Sequence, residues 1–168
     1  MFERILPEHD RHLASQMVAE YRKRYNNTSH HGVVVLDEVI PTLVYLKKAG
    51  FKLAVATTKA DNEARSLLQK IGLYNYFDVV TGFRDDIRVK PHPDMIYYIL
   101  KELAIEPSKT ALVGDTPTDV FTAKNAGIAV IVVTSSVSLG MTTLDNIYAS
   151  KPDRIINSLA ELKNILVK

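Results

Sequence analysis

The sequence predicts an α/β fold built on a doubly wound, mostly parallel sheet. Three observations favour this class. Apolar runs of strand length alternate with segments of helical periodicity, the order that parallel strands and crossover helices require. The strand candidates are apolar throughout, as in sheets that helices cover on both faces. The 168 residues are enough for one domain with a core and a small appendage.

The appendage is predicted at the N-terminus. Apolar residues recur at helical spacing over about Glu8–Tyr25, which indicates an amphipathic helix. The polar stretch Asn26–Gly32 is typical of a loop or linker. We therefore predict a small N-terminal unit over residues 1–29 and a main domain over residues 30–168.

The main domain is predicted to alternate helices and strands. Glycine closes several of its helices and proline opens others, each at the helix end where that residue is favoured. The predicted helices span residues 38–49, 61–71, 93–103, 117–126 and 158–166. The predicted strands span residues 52–56, a short run from Val79, and residues 110–113 and 129–133.

Composition excludes several kinds of site. The chain has no cysteine, which excludes disulfides, thiolate metal sites and a cysteine nucleophile. A net charge of +2 gives no electrostatic basis for binding nucleic acid or a membrane surface. The N-terminal residues do not resemble a signal peptide, and no apolar run has the length of a membrane span. We therefore expect a cytoplasmic protein.

The segment Ala-Leu-Val-Gly-Asp-Thr-Pro-Thr-Asp is the strongest candidate for a functional site. Asp115 follows a predicted strand, at the sheet edge where open α/β folds bind ligands. Pro117 suits the first turn of a helix, which would place Asp119 one turn along and facing the same space. Two converging carboxylates are typical of a Mg²⁺ site. The same segment also fits a strand followed by an aspartate-capped helix without any chemistry.

Two further polar positions suggest a phosphate site. Thr57 and Thr58 follow strand 52–56, where a hydroxyl and the backbone N–H groups entering a helix can hold a phosphate. A threonine-capped turn without a ligand would have the same sequence. Lys90 precedes a rigid Pro-x-Pro turn, and a lysine fixed there can neutralise a phosphoryl group, although an isolated lysine is more often a surface residue.

Taken together, these motifs resemble three of the four motifs of the haloacid dehalogenase (HAD) superfamily, in its phosphoglycolate phosphatase-like branch. The Lys-Pro-His-Pro and Val-Gly-Asp-Thr-Pro-Thr-Asp stretches are the specific part of the resemblance, which runs from about Gly32 to Leu159. The resemblance implies a HAD-like Rossmannoid core. It also implies that the N-terminal helix, within residues 1–29, is a remnant of a small helical cap.

The resemblance further implies roles for individual residues. Thr57 would donate a hydrogen bond to the phosphoryl oxygens, helped by the backbone at Thr58, and Lys90 would offset the negative charge of nucleophile and phosphate. Asp115 would bind Mg²⁺ directly, and Asp119 would ligate Mg²⁺ or order its waters. Such an arrangement suits phosphoryl transfer, which depends on positioning and on neutralising charge.

The fourth motif is missing from the sequence. The resemblance implies attack by an aspartate at the end of the first strand, with a second aspartate two positions later, but the chain contains no Asp-x-Asp. The nearest match is Asp37 after the apolar run Val33–Leu36, with Val39 where the second aspartate would stand. Asp37 is therefore a weak candidate for the nucleophile.

Two explanations of the missing motif stay open. The chain starts late and lacks the first strand and part of the cap, or the protein is a natural variant that has lost hydrolysis. The strands beside the missing one would then expose unpaired backbone groups, unless Val33–Leu36 or a partner chain filled the slot. The chain by itself is therefore expected to be poorly ordered or to associate through this slot.

The predicted function is Mg²⁺-dependent hydrolysis of phosphomonoesters of small metabolites. The alternative is a non-catalytic module that binds phosphate and Mg²⁺ without a nucleophile. A response-regulator-like receiver shares the α/β layout, but the Pro-x-Pro turn and the Gly-Asp-x-x-x-Asp run do not resemble that class. The sequence does not identify the substrate, because specificity in such enzymes resembles a property of the cap.

Overall fold

The computed structural model describes residues 6–28, 32–134 and 142–166. These residues form two compact units, Met1–Val34 and Val35–Lys168. The predicted boundary between residues 29 and 30 lies outside the described residues. In the described ranges, no helix combines the length and the apolar character needed to cross a bilayer.

The N-terminal unit is helical, as predicted. A 3-10 segment over Glu8–Leu13 leads into helix α1, Ala14–Thr28. The sequence prediction therefore started the loop too early, at Asn26, because the helix continues to Thr28. Asn26 and Asn27 have only moderately low helix propensity, and no glycine or proline interrupts the backbone before Thr28.

The larger unit alternates helices and strands. Its helices are α2 Val39–Lys48, α3 Asp61–Lys70, α4 Asp94–Leu103, α5 Pro117–Ala126, α6 Leu144–Ser150 and α7 Leu162–Ile165. Its strands are β1 Ala54–Ala60, β2 Val79–Phe83, β3 Ala111–Gly114, β4 Ala129–Val133 and β5 Arg154–Ile156. Short 3-10 turns lie at Tyr74–Tyr76, Pro107–Lys109 and Leu159–Glu161.

All strand pairs are parallel, which confirms the predicted fold class. β1 pairs with β2, with Ala54 opposite Val79. β4 lies between β3 and β5 in a second sheet, with Ala111 opposite Ala129. Within the described residues no ladder joins β1 to β3, so the strands form two sheets of the order β1-β2 and β3-β4-β5.

Apolar clusters cover both faces of the three-stranded sheet. Val130 and Val132 point into a cluster with Ile96, Val120 and Ile147. The alternate residues of β4 point to the opposite face, because successive side chains of a strand alternate. They join a second cluster, formed by Leu46, Ile131, Val133, Ile156 and Leu162. This two-sided burial explains why β4 is apolar throughout.

Candidate active site

The candidate site lies at the carboxyl ends of the strands in the larger unit. Asp115 directly follows β3, Asp119 is in the first turn of α5, and Lys90 is in the loop between β2 and α4. The Lys90 side chain reaches Asp119, so the loop after β2 and the loop after β3 meet at one edge. This is the edge at which open parallel sheets bind ligands.

Lys90 and Asp119 form the central ion pair. The Lys90 Nζ donates to Asp119 Oδ1 at 2.7 Å, and both side chains are largely buried, with 14% and 7% exposed. Burial by itself would raise the pKa of Asp119, but the attraction of Lys90 and hydrogen bonds from Lys90 and Thr116 hold that pKa below its ordinary value. Asp119 is therefore held as a carboxylate.

The second carboxylate oxygen of Asp119 organises the turn before α5. Its Oδ2 accepts from the Thr116 Oγ1 at 2.8 Å, the Thr116 N at 3.1 Å and the Asp115 N at 3.3 Å. Thr116 and Asp119 together form a capping box at the start of α5. Gly114 permits this close approach, because a Cβ there would collide with the Asp119 side chain.

Asp115 differs from Asp119 in having a free carboxylate. The residue is partly exposed, and no described residue donates a hydrogen bond to its side-chain oxygens. An unpaired carboxylate at the sheet edge fits Mg²⁺, which takes one or two protein carboxylates and keeps several waters. In the part of the chain that the structure describes, no three His, Cys, Asp or Glu residues are grouped as a metal site. The predicted role of Asp115 as a Mg²⁺ ligand stays a prediction.

Thr57 lies inside β1, whereas the sequence predicted the strand to end at Ala56. The ladder pairs Ala56 with Thr81 and then Ala60 with Phe83, so three residues of β1 face one residue of β2. Such bulges bend a strand and redirect side chains near functional sites. The pattern of apolar residues in the sequence does not predict this bulge.

The side chains of the bulge point to different environments. Thr57 is partly buried and its Oγ1 accepts from the Lys59 N at 3.2 Å, while Thr58 is exposed. Neither Thr57 nor Thr58 has a hydrogen bond to Lys90, Asp115 or Asp119. The predicted phosphate-binding role of the two threonines stays a prediction.

Three residues that the sequence analysis missed hold the Lys90 loop. Asp94 accepts from Arg88 Nε and Nη2, both at 2.8 Å, and from the Arg88 N at 3.2 Å. Asn125 Nδ2, near the end of α5, donates to the Pro91 carbonyl at 3.0 Å. Hydrogen bonds from Arg88, helped by its positive charge, lower the pKa of Asp94. Asp94 follows Pro93 at the start of a helix, which is the one sequence signal that could have identified it.

Asp37 does not join these residues through a hydrogen bond. It lies in the turn before α2, after residues 33–36, which do not form a strand. Among the described residues, no hydrogen bond links Asp37 to Thr57, Lys90 or Asp115. Its suggested role as nucleophile stays a prediction.

Comparisons with known proteins point to one family. The family model for haloacid dehalogenase-like hydrolases matches residues 1–133. "Probable phosphatase IndB" of Dickeya dadantii is 39% identical over 129 residues, which cover 77% of this chain and 54% of that protein. Pyrophosphatase PpaX of Halalkalibacterium halodurans is 33% identical over 167 residues, which cover 98% of this chain and 73% of that protein. The chain thus spans about half the length of the first relative.

A solved structure shows the same fold. The crystal structure of a "predicted phosphoglycolate phosphatase" from Haemophilus somnus aligns with a TM-score of 0.77 and 29% sequence identity. The alignment covers 95% of this chain and 68% of that chain. The resemblance found from the sequence motifs is therefore confirmed by a family model, by relatives and by a structural neighbour.

Proposed function

The chain belongs to the haloacid dehalogenase-like hydrolase family, and from this premise we propose that it acts on phosphate esters of small metabolites as a Mg²⁺-dependent phosphatase. The observation that carries the proposal is the buried Lys90–Asp119 pair beside the free carboxylate of Asp115. The relatives support it, since their names describe phosphatases and a pyrophosphatase.

The residues at the sheet edge suit phosphoryl transfer. Lys90 supplies a fixed cation, and its loop is held in place by Asp94 and Asn125. Thr57 would donate its hydroxyl hydrogen to a phosphoryl oxygen, and Asp115 would hold Mg²⁺. When bound, Mg²⁺ would neutralise negative charge on the phosphoryl oxygens. Each of these groups stabilises charge that develops in the transition state.

The attacking group is the open part of the proposal. The family resemblance implies an Asp-x-Asp pair, which this sequence does not contain. Asp37 is the weak candidate within the chain. This gap favours a second function, a module that binds phosphate and Mg²⁺ without hydrolysing an ester.

Hydrolysis of p-nitrophenyl phosphate distinguishes the two functions. We expect turnover that requires Mg²⁺ and falls at least about a hundredfold in Asp115→Asn, the range seen when one charge-stabilising group is lost. Asp145→Asn is the matched control, because Asp145 is exposed on α6 and should leave turnover unchanged. Phosphoglycolate and pyrophosphate, the substrates named in the relatives, should be assayed alongside.

Calorimetry with inorganic phosphate completes the test. Mg²⁺-dependent binding of phosphate without turnover of any substrate would support the binding module instead. A chain that neither hydrolyses these substrates nor binds phosphate in the presence of Mg²⁺ would contradict both functions.

A further inference from the structure

The bulge of β1 carries the two threonines of the proposed phosphate site. It is bounded by two ladder pairs, Ala56 with Thr81 and Ala60 with Phe83. Residues 57–59 lie between these pairs, where the register of the ladder shifts. Because a bulge disrupts the ladder locally and lets the strand bend, contacts outside the ladder decide its shape.

Gly82 of β2 lies directly against the end of this bulge. A Cβ on Gly82 would collide with the Lys59 carbonyl oxygen, and would lie 2.7 Å from the Asp61 Cα and 2.8 Å from the Asp61 N. All three are backbone atoms, which cannot turn aside as the end of a long side chain can. The backbone from Lys59 to Asp61 therefore contacts β2 closely only because buried Gly82 has no side chain.

Asp61 holds the same contact from the side of α3. Its Oδ1 accepts from the Gly82 N at 2.9 Å, and its Oδ2 accepts from the Arg65 Nε at 2.7 Å. Arg65 is fixed in turn, since it also donates to the Tyr74 hydroxyl and to the Val80 carbonyl. Burial by itself would raise the pKa of Asp61, but hydrogen bonds from Arg65 and Gly82 and the charge of Arg65 hold that pKa below its ordinary value. Asp61 is therefore an ionised acceptor for the Gly82 N–H.

One hydrogen bond extends these contacts to the Thr57 hydroxyl. The Thr57 Oγ1 accepts from the Lys59 N at 3.2 Å, so the position of the Lys59 backbone sets the orientation of the Thr57 side chain. A hydroxyl can accept two hydrogen bonds and donate one. No described residue accepts from the Thr57 hydroxyl. Its hydrogen is therefore available to a ligand, while one of its acceptor sites holds it in place.

A connected set of contacts thus runs from Gly82 to Thr57. We propose that Asp61 and Gly82 are positioning residues, which hold the Thr57 hydroxyl and the backbone N–H groups of the bulge in the geometry that binds a phosphoryl group. This role rests on the proposed function, in which Thr57 donates to a phosphoryl oxygen. Binding groups need to be held within about 0.5 Å of their productive geometry, and a displacement of about 1 Å can cost about a hundredfold in rate. Asp61 and Gly82 act through the Lys59 backbone and do not touch the ligand.

Two single substitutions disturb this contact from opposite sides. Asp61→Ala removes the acceptor of the Gly82 N–H, and Gly82→Ala adds a methyl group where the backbone of residues 59–61 already lies. By calorimetry with inorganic phosphate in the presence of Mg²⁺, we expect each variant to bind phosphate at least about tenfold more weakly than the wild type. If the chain hydrolyses p-nitrophenyl phosphate, kcat/KM should fall by the same factor. Gly82→Ala carries the same prediction if Asp61→Ala fails to fold.

Asp153→Ala is the matched control. The Asp153 carboxylate accepts from the Val130 N at 2.7 Å, so it holds a strand N–H as Asp61 holds that of Gly82. Asp153 lies just before β5 and Val130 lies near the start of β4, which places this bond at the amino edge of the sheet, opposite the candidate site. Its loss should cost stability in the same way and leave phosphate affinity within about twofold of the wild type.

The affinity for Mg²⁺ separates positioning from a general disturbance of the fold. Asp115, the proposed Mg²⁺ ligand, follows β3 and has no hydrogen bond to the bulge among the described residues. Mg²⁺ titrated alone should therefore bind Asp61→Ala and Gly82→Ala with an affinity within about twofold of the wild type. Equal losses of Mg²⁺ and phosphate affinity would overturn the positioning role, because a general disturbance affects both ligands.

Amide hydrogen exchange locates the effect within the chain. The Lys59 amide, which donates to the Thr57 Oγ1, should exchange at least about tenfold faster in Asp61→Ala than in Asp153→Ala. The Val132 amide lies inside β4, which has a strand on each side, and its exchange should be the same in Asp61→Ala and the wild type. Unchanged exchange at Lys59 in Asp61→Ala would contradict the positioning role without any ligand present.

The outcomes for phosphate distinguish this role from the proposed function. A wild-type chain that neither binds phosphate in the presence of Mg²⁺ nor hydrolyses p-nitrophenyl phosphate would overturn the proposed function, and the positioning role with it. A wild-type chain that binds phosphate, with equal affinity in Asp61→Ala, Gly82→Ala and the Asp153→Ala control, would overturn the positioning role alone.

Discussion

At the scale of single residues, Asp119 shows how one side chain organises the site. Its Oδ1 holds the Lys90 ammonium and its Oδ2 caps α5 through Thr116, so both oxygens are engaged within the chain. The family resemblance implied that Asp115 binds Mg²⁺ directly and that Asp119 ligates Mg²⁺ or orders its waters. Their hydrogen bonds differ, since the carboxylate of Asp115 accepts none from a described residue. We infer that Asp119 positions Lys90 and the turn, while Asp115 is the group available to a cation.

Replacing Asp119 tests this inference. In Asp119→Asn the amide oxygen can keep the Thr116 bonds, but the NH₂ group then faces the Lys90 ammonium and leaves it without an anion. We expect the free energy of unfolding in urea to fall by about 1–3 kcal/mol. Asp145→Asn, on an exposed surface, should change it by less than about 0.5 kcal/mol. Equal stability of the two variants would contradict a structural role for the ion pair.

The same variant has a defined pH dependence. The pKa of Asp119 is lowered from an ordinary value of 3.8 in the folded state, so its stabilising contribution is complete above that pH and is lost as the pH falls through the folded value. The stability difference between wild type and Asp119→Asn should therefore be largest near neutral pH and shrink in acid, below about pH 4. A difference that grew on acidification would be inconsistent with this sign.

At the scale of elements, local signals decided which predictions matched the structure. Helix α5 was predicted with its observed bounds, because proline starts it and Gly127 ends it in the left-handed conformation with φ 69°. β4 was also predicted with its observed bounds, because it is apolar over its whole length. The bounds of both elements can be predicted from their own residues and, for α5, from Gly127 directly after it.

Elements that depend on tertiary contacts were missed. β5 has three residues and begins with Arg154, too short for a periodic pattern, and it exists by pairing with β4. α6 has buried positions at Ile147 and Ser150 but an exposed Leu144, so its sequence shows little amphipathic pattern. The predicted closing helix 158–166 is a 3-10 turn followed by the short helix α7.

The contact between α3 and β2 provides an element-scale prediction. Asp61, the first residue of α3, accepts from the Gly82 N at 2.9 Å and from the Arg65 Nε at 2.7 Å. Asp61→Ala removes both acceptors and leaves the Gly82 N–H without a partner. We expect a loss of about 1–3 kcal/mol in unfolding free energy, together with faster amide exchange at Gly82.

Asn62→Ala is the neighbouring control for Asp61→Ala. Asn62 is exposed, and among the described residues its Oδ1 accepts only from the Glu63 N, within the same helix turn. Its loss should leave the exchange of the Gly82 amide unchanged. Unchanged exchange at Gly82 in Asp61→Ala as well would show that this bond does not hold α3 to the sheet.

At the scale of the whole molecule, the sequence predicted which residues meet at the candidate site better than how they interact. Asp115 and Asp119 were singled out because they follow a predicted strand, and Lys90 because it precedes a proline turn. The hydrogen bonds from Arg88 to Asp94 and from Asn125 to the Pro91 carbonyl were not predicted, because their partners lie 6 and 34 positions apart and form no sequence motif. Hydrogen-bond partners at such separations depend on the fold, which no local pattern encodes.

The division of the strands into two sheets predicts uneven stability within the larger unit. β4 has a partner on both sides and its Val130 and Val132 are fully buried, whereas β1 pairs only with β2 among the described residues and none of its own residues is buried. Regions with fewer buried apolar contacts open at lower free energy than the core. We therefore expect native-state hydrogen exchange in low urea to give a smaller opening free energy for the Val80 amide of β2 than for the Val132 amide of β4. A single opening free energy for both sheets in the free chain would instead mean that the shared apolar clusters alone make the unit cooperative.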